Sequence, residues 1–208
     1  MDRLVIATHN RHKAGEMVEI LAARFPGLEL LTLADFEGAP EPEETGETYA
    51  ENAAIKSESG AAFTGEACLA DDAGLEIDAL EGAPGLYSKR FGGEDLPFPE
   101  KMARIQEMLK DVPEAARTAR FRCYVALTIP GRGTQVLQST CEGRIAPSVS
   151  GSGGFGYDPI FLPDDAPGRT MADLTAAEKH AISHRGKVLS AFGDLWQGMA
   201  VGGALDED

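Results

Sequence analysis

The sequence predicts an α/β fold that contains a long β-hairpin. The chain has 208 residues, 43% of them hydrophobic and 25% charged, which is the composition of a globular protein with a sizeable core. It opens with an apolar run, a polar turn, a helical pattern and a second apolar run, the order expected of alternating strands and helices. Apolar and polar residues then alternate with a period of two over residues 119–129, before a turn at residues 130–133. We therefore expect one domain over residues 1–208.

The charge balance excludes several classes of partner. With 19 Lys and Arg against 34 Asp and Glu, the net charge is −15, so the protein lacks the basic character that nucleic acids and anionic membranes require. A small anionic substrate is still compatible, because a few well-placed cations can make a local site. No apolar run approaches the roughly 20 residues of a membrane helix, and the N-terminus has no signal-peptide core. The cysteines, Cys68, Cys123 and Cys141, are too few for a disulfide framework, so we expect a soluble, cytoplasmic protein.

The first half of the chain predicts alternating strands and helices. Residues 4–7 form a strand, Asn10 caps the helix that follows, and Pro26 ends this helix. Later elements follow from the same kinds of signal. They are a strand near residues 29–33, an acidic loop over 35–47, a helix from the Thr48/Glu51 capping box to about residue 63, and strands at 68–70 and 75–80 on either side of a turn at 71–74.

The second half predicts a helix between residues 99 and 112, the hairpin, and a glycine-rich loop over residues 151–156. A short strand at residues 160–162 and a capping box at Thr175 and Glu178 follow. The last helix has an apolar face that we assign to the core, made of Val188, Leu189, Phe192, Leu195 and Trp196.

Two polar segments near strand ends are candidates for phosphate and metal binding. Residues 8–13 join a strand to a helix start and include Lys13, an arrangement that suits a phosphate but also fits a capped helix with surface charges. Asp71 and Asp72 repel each other unless a cation or hydrogen bonds compensate, which makes them candidate Mg²⁺ ligands. An Asx turn before Gly74 is the alternative.

Two further polar segments complete the set. The acidic loop at residues 40–46 precedes a helix with Asn52 and Lys56, and such loops are usually solvated surface. The glycine run at 151–156 is not followed by a helix, so it is not a dinucleotide fingerprint. A flexible loop with Phe155 and Asp158 better suits a nucleotide base, with Lys179 and Arg185 adding positive charge and His184 either structural or functional. Together the four segments predict a Mg²⁺-dependent nucleotide site.

Six segments also closely resemble the inosine triphosphate pyrophosphatase family, in order over residues 4–196. They are ATHNRHK at 7–13, EETGETYAENA at 43–53, ADDAGL at 70–75, GAPGLYS at 82–88, GGFGYDPIF at 153–161 and ISHRGK at 182–187. The resemblance implies hydrolysis of ITP, dITP and XTP to the monophosphate and pyrophosphate, removing these triphosphates from the nucleotide pool. It implies a long mixed β-sheet with flanking helices, two lobes with the active site in the cleft between them, a Mg²⁺ cofactor and a homodimer.

The same resemblance assigns roles to individual residues. Asp72 is the expected catalytic carboxylate and a Mg²⁺ ligand, with Glu43 as the second metal ligand. The expected substrate contacts are the phosphate turn Thr8, His9, Asn10, Arg11, His12 and Lys13, then Ala73, the base loop Phe155, Gly156, Tyr157 and Asp158, and finally Lys179, His184 and Arg185. The His184–Arg185 pair would read the 6-oxo group, because a cationic donor there rejects the amino group of adenine.

Two positions depart from the family pattern, since His9 stands where glycine is usual and Ala73 where serine is usual. We expect these changes to alter KM and to leave activity in place. Two alternatives stay open: a nucleotide sensor without activity on the same scaffold, and an enzyme for modified pyrimidine or methylated triphosphates.

Overall fold

The computed structural model describes residues 2–202 and contains one mixed β-sheet of six strands among these residues. The strands are β1 (Arg3–Ile6), β2 (Glu29–Thr32), β3 (Cys68–Ile77), β4 (Thr118–Ile129), β5 (Gly133–Ile145) and β6 (Phe161–Pro163). Their order in the sheet is β2-β1-β3-β4-β5-β6. β1 pairs in parallel with β2 and β3, whereas β5 and β6 are antiparallel. The α/β class and the mixed sheet are therefore confirmed.

The helices lie close to where the sequence predicts them. They are α1 (Arg11–Arg24), α2 (Tyr49–Thr64), α3 (Phe98–Met108), α4 (Ala176–Ile182) and α5 (His184–Gly202). The capping boxes at Thr48 and Thr175 both form, with Glu51 and Glu178 closing them. The long hairpin is present as β4 and β5, neighbouring strands joined by a turn over residues 130–132. No helix within residues 2–202 has the length and hydropathy needed to cross a membrane.

One predicted turn is wrong. We expected residues 71–74 to separate two strands, but β3 runs without interruption from Cys68 to Ile77. The Asp-Asp-Ala-Gly motif favours a turn only while its carboxylates and backbone are solvated. In the folded protein Asp71 and Asp72 are buried and paired with cations, so the chain continues as a strand.

The chain divides into two compact units. The first comprises residues 1–72, 123–138 and 185–208, described here up to residue 202, and the second comprises residues 73–122 and 139–184. The division falls inside β3, β4 and β5. This division agrees with the expected two lobes. The placement of the active site in a cleft between them stays a prediction.

The first unit packs its helices closely onto the sheet. Val5, Ala7, Cys68 and Ala70 are buried in one apolar cluster. Gly60 of α2 allows the close approach, because a Cβ there would lie only 2.9 Å from the Cβ of Ala7. The expected apolar face of α5 is confirmed by buried Val188, Leu189, Phe192 and Trp196, with Leu195 half-buried.

The core of the second unit collects side chains from α3, β3, β4 and the segment after the glycine-rich loop. Its buried members include Leu75, Ile105, Phe121, Tyr157 and Phe161. Cys141 belongs to this core, and all three cysteines are buried and form no disulfide, as predicted.

Candidate active site

The turn between β1 and α1 is organised by its own polar side chains. The amide of Asn10 donates to Thr8 Oγ1 at 3.2 Å, and Asn10 Oδ1 accepts from the amides of His12 and Lys13 at 3.0 and 3.1 Å. This N-cap fixes the start of α1 and the positive end of its dipole. Arg11 and His12 are exposed. The turn is therefore compatible with its predicted phosphate role.

His9 makes a contact that links this turn to the acidic loop. Its Nε2 lies 3.0 Å from the carbonyl oxygen of Pro40, which can only accept, so the ring donates. The bulkier residue at this position thus ties the turn to the loop that carries Glu43 and Glu44.

Asp71 is the fully buried centre of a cluster of cations. Its Oδ2 accepts from Arg185 at 2.8 Å and lies 3.3 Å from Lys13 Nζ. Burial alone would raise the pKa of Asp71, but the charges of Lys13, Arg185 and Lys56 outweigh it and hold that pKa well below its usual range. Arg185 also donates to Glu16 at 2.6 Å. Asp71 is therefore ionised at neutral pH and orders the cations around it.

Asp72 has a different environment from that of its neighbour. Lys56 Nζ lies 3.5 Å from Asp72 Oδ1 and 3.1 Å from Glu44 Oε1, so one ammonium is shared by two carboxylates. Burial raises the pKa of Asp72, and the charges of Glu44 and Asp71 add to this, while Lys56 and Lys13 oppose it. The pKa of Lys56 is raised because these carboxylates outweigh its burial. The pKa of Asp72 is therefore shifted in the direction opposite to that of Asp71.

The acidic loop presents Glu44 to this group. The carboxylate of Glu44 is about one-third exposed at 35% and pairs with Lys56, whereas Glu43 is exposed. The loop is held at its end by Asn52, whose Oδ1 accepts from the amide of Gly46 at 2.8 Å. The metal role of Glu43 stays a prediction, and the geometry favours Glu44 for it.

The donor set suits a hard divalent cation that also uses substrate oxygens. Asp72 and Glu44 supply carboxylates around the position of the Lys56 ammonium. Within residues 2–202 no group of three or more His, Cys, Asp or Glu side chains could enclose a metal ion. Mg²⁺ is commonly held by one or two carboxylates together with phosphate oxygens, and the residues present fit that pattern.

A second polar group lies in the glycine-rich loop and α4. Asp158 Oδ2 accepts from Lys179 Nζ at 2.6 Å and from the amide of Phe155 at 2.9 Å, and both charged residues are buried. Lys179 Nζ also lies 4.8 Å from the centre of the Phe155 ring. Gly154 makes this possible, since its φ is +66° and a Cβ there would lie 2.0 Å from Asp158 Oδ2. The loop therefore presents an aromatic face beside a fixed carboxylate.

Tyr157 faces away from that polar group into the core of its unit. Its hydroxyl donates to the carbonyl of Ser88 at 2.8 Å, and its ring packs edge-on against Phe98 with centroids 5.1 Å apart. Burial raises the pKa of Tyr157. This geometry gives Tyr157 an anchoring role in the loop, and its substrate contact stays a prediction.

His184 and Arg185 are adjacent in sequence but have separate surroundings. The His184 ring stacks on Phe121 with centroids 4.8 Å apart, and it is buried. Arg185 is engaged by Asp71 and Glu16. Ala73 follows Asp72 within β3 and is half-buried. The expected reading of a 6-oxo group by the His184–Arg185 pair stays a prediction.

Several site residues lay outside the predicted set of contacts. The structure supplies the ion pairs of Lys56 with Glu44 and Asp72, the role of Glu16 and the partners of Asp71. For Lys56 the signal was present, because Asn52 and Lys56 are four residues apart and share one face of α2 directly after the acidic loop. No local pattern marked Glu16, whose partner Arg185 is 169 residues away.

The fold and these two groups define an α/β protein with buried carboxylates and lysines suited to a phosphorylated ligand. Comparison with known proteins agrees: the model of the Ham1 family matches residues 4–195. The chain is 46% identical to the dITP/XTP pyrophosphatase of Geobacillus kaustophilus, with 95% of each chain covered. It is 43% identical to the dITP/XTP pyrophosphatase of Bacillus subtilis, covering 94% of this chain and 97% of the relative.

Solved structures give the same result. A HAM1 protein from Coxiella burnetii superimposes with a TM-score of 0.83 at 38% identity, covering 95% of this chain and all of that one. The Ham1 protein of Staphylococcus aureus gives a TM-score of 0.82 at 34% identity, covering 95% of this chain and 99% of that one. The chain belongs to the Ham1 family, and the family resemblance seen in the sequence is confirmed.

Proposed function

We propose that this protein hydrolyses deaminated purine nucleoside triphosphates, namely ITP, dITP and XTP, to the monophosphate and pyrophosphate. Relatives named dITP/XTP pyrophosphatase match the chain over more than nine-tenths of its length, which supports the substrate class. The observation that carries the proposal is the shared position of Lys56 between Asp72 and Glu44, next to the Asp71 cluster with Lys13. Carboxylates and lysines in this combination suit a metal-bound triphosphate.

The triphosphate is assigned to the turn at residues 8–13 together with Lys13 and Lys56. The start of α1 offers backbone dipoles, and the two lysines supply charge that neutralises phosphate oxygens. Asp71 holds Lys13 in place because the pair is buried on the carboxylate side. An acidic protein can therefore bind an anionic substrate through a few positioned cations.

Asp72 and Glu44 are the residues that would hold Mg²⁺. The bound ion supplies positive charge that stabilises the phosphate charge developing during phosphoryl transfer. It would also lower the pKa of Asp72, which burial raises. Lys56 would then interact with substrate oxygens as well as with Glu44.

The reaction assigned to this group is an in-line displacement at the α-phosphorus. The oxygen of a water molecule forms a bond to phosphorus, the bond to the bridging α–β oxygen breaks, and pyrophosphate leaves with the bond's electron pair. The water gives up its proton to Asp72 or a neighbouring carboxylate, which also orients it. Asp72→Asn should therefore lose activity and keep the fold.

The base is assigned to the loop at residues 155–158 with Lys179. Phe155 offers a face for stacking. Asp158, fixed by Lys179, can accept hydrogen bonds from the ring N–H groups of hypoxanthine or xanthine. A 6-oxo purine presents an acceptor where adenine presents a donor, so a cation at that position rejects ATP. We assign this role to His184 and Arg185, as the family resemblance implies. On the same basis we propose that the protein is a homodimer.

The test is pyrophosphate release from ITP, XTP, dITP, dUTP, GTP and ATP, measured with Mg²⁺ and with EDTA, for the wild type and Asp72→Asn. We expect fast Mg²⁺-dependent turnover of ITP, XTP and dITP, slow turnover of GTP and ATP, and loss of about 100-fold or more in kcat for the variant. Preference for dUTP would favour the modified-pyrimidine alternative. Binding of ITP without turnover of any nucleotide would favour a sensor.

A further inference from the structure

Lys101 is a buried lysine in α3 that the proposed reaction does not use. Its exposed fraction is 1%, and no carboxylate lies within ion-pair distance of its Nζ among residues 2–202. The ammonium donates to the carbonyl oxygen of Lys89 and lies 5.3 Å from the centre of the Phe98 ring. Burying an ammonium outside ion-pair distance of a carboxylate is costly, and Glu94 acts on it only at longer range, so the placement of Lys101 points to a positioning role.

The backbone carbonyl that Lys101 contacts belongs to Lys89, and the carbonyl of the preceding residue, Ser88, accepts a hydrogen bond from a different element. Lys89 accepts from Lys101, and Ser88 accepts from the hydroxyl of Tyr157 at 2.8 Å. Arg104, one helical turn after Lys101, donates to Gly92 in the same segment at 3.2 Å. Residues 88–92 are therefore fastened to α3 on one side and to Tyr157 on the other.

Phe98 joins the two anchors through ring contacts. Its ring faces the Lys101 ammonium and packs edge-on against Tyr157, with centroids 5.1 Å apart. It also lies beside Gly156, where an added Cβ would be 3.6 Å from Phe98 Cε1. Tyr157 and Gly156 stand between Phe155 and Asp158 in the loop assigned to the base. A shift of Lys101 would therefore reach the two central residues of that loop through Phe98.

We propose that Lys101 is a positioning residue for the base-binding loop, acting through residues 88–92 and Phe98 on Tyr157. The proposal rests on the proposed function, because it assumes that residues 155–158 bind the base. It assigns no contact between Lys101 and substrate. Lys101 therefore controls recognition of the base and leaves binding of the triphosphate unaffected.

The experiment compares Lys101→Met, which keeps the length of the side chain and removes its charge, with Lys110→Met, an exposed lysine just beyond the same helix. KM and kcat are measured for ITP, and inorganic tripolyphosphate is used as a competitive inhibitor that lacks a base. For Lys101→Met we expect KM to rise about tenfold, the ratio for one lost charge-assisted hydrogen bond, with kcat changed by less than about threefold. The inhibition constant of tripolyphosphate should be unchanged, and Lys110→Met should match the wild type.

Hydrogen exchange supplies a readout that does not depend on activity. In Lys101→Met the amides of residues 88–92 and 154–158 should exchange faster than in the wild type, while those of residues 8–14 should not. Phe98→Leu should give the same pattern, which keeps the test available if Lys101→Met fails to fold. Lys101→Arg, which retains a buried cationic donor, should recover at least part of the wild-type KM.

Two results would overturn the proposal. One is an unchanged KM for ITP together with unchanged exchange in residues 154–158. The other is an equal loss of affinity for ITP and tripolyphosphate, which would make Lys101 a general stability residue. Failure of the proposed function would look different, since the wild type itself would not hydrolyse ITP while the exchange pattern would still decide the role of Lys101.

Discussion

Asp71 and Asp72 are adjacent in β3, and their pKa values are shifted in opposite directions. Successive side chains of a strand point to opposite faces, so the two carboxylates meet different partners. Asp71 is paired with Arg185 and Lys13, whereas Asp72 shares Lys56 with Glu44. One carboxylate thus fixes the surrounding cations, and its neighbour is left able to interact with a ligand.

The pairing of Asp71 predicts a pH-dependent contribution to stability. Its pKa in the folded protein is lowered from 3.8, so the contribution is fully present above about pH 4 and is lost as the pH falls toward the folded value. Asp71→Asn should destabilise the protein by roughly 3–5 kcal/mol at pH 7, because the buried guanidinium of Arg185 loses the negative charge of Asp71.

Urea unfolding of the wild type and of Asp71→Asn between pH 7 and pH 2.5 measures this difference. The difference in the free energy of unfolding between the two proteins should be constant down to about pH 5 and should narrow below about pH 4. Asp194→Asn removes an exposed partner of Arg24, so its free energy of unfolding should differ little from that of the wild type at every pH. A gap for Asp71→Asn that stays constant to pH 2.5 would contradict the assignment.

The choice between Glu43 and Glu44 can be decided by a matched pair of variants. Glu44→Gln removes the carboxylate that shares Lys56 with Asp72, so the Mg²⁺ concentration for half-maximal activity should rise by about tenfold or more. Glu43→Gln changes an exposed neighbour and should stay within about twofold of the wild type. The reverse ranking in a Mg²⁺ titration of ITP hydrolysis would return the metal role to Glu43.

Phe155 gives a prediction about the base alone. Phe155→Ala removes the ring that faces Lys179, and loss of one stacked base should raise KM for ITP by about tenfold or more with a smaller change in kcat. Steady-state kinetics on ITP, with tripolyphosphate inhibition as the control, measures this effect. An unchanged KM would remove Phe155 from the base site.

At the scale of elements, α2 positions two parts of the first unit. Its capping box with Thr48 and Glu51 fixes its start directly after the acidic loop. From the first turn, Asn52 holds the amide of Gly46, and one turn later Lys56 reaches Glu44 and Asp72. Helix α2 therefore positions both the end of the acidic loop, through Asn52, and the ammonium that pairs with Glu44, through Lys56.

Asn52→Ala should loosen the acidic loop without removing any charge. The lost hydrogen bond to Gly46 is worth about 1 kcal/mol, so we expect the Mg²⁺ concentration for half-maximal ITP hydrolysis to rise about fivefold. Glu58→Gln, on the exposed side of the same helix, is the control and should behave as the wild type. If Asn52→Ala requires no more Mg²⁺ than the control, the loop does not depend on this hydrogen bond.

Elements with local signals could be predicted from the sequence. The cap at Asn10, the capping boxes at Thr48 and Thr175 and the period of two in β4 depend on residues within a few positions of one another. The continuity of β3 could not be predicted in the same way. It depends on Lys13, Lys56 and Arg185, which are distant in sequence and neutralise a motif that would otherwise favour a turn.

At the scale of the whole molecule, the sequence was sufficient for the fold class and the family because six motifs occur in order along nearly the full chain. The contacts of single residues could be assigned only from the structure. Glu43 and Glu44 are the same residue type in sequence, and the structure separates them by exposure and by the ion pair of Glu44 with Lys56. The same holds for Arg185, whose present partners, Asp71 and Glu16, come from two other elements.

The chain combines a large negative charge with a proposed site for a polyanion. Its net charge of −15 repels anions at long range, whereas the site depends on lysines and an arginine held by buried carboxylates. Salt screens the long-range repulsion more than it screens buried pairs.

The absence of a side chain at Gly154 also limits how base preference could be redesigned. Any residue with a Cβ at this position would displace Asp158 from Lys179. A mutant library aimed at new bases should therefore keep codon 154 fixed as glycine and diversify codons 98 and 155. Selected variants could then change the surroundings of the loop while retaining the Asp158 carboxylate that we propose reads the ring.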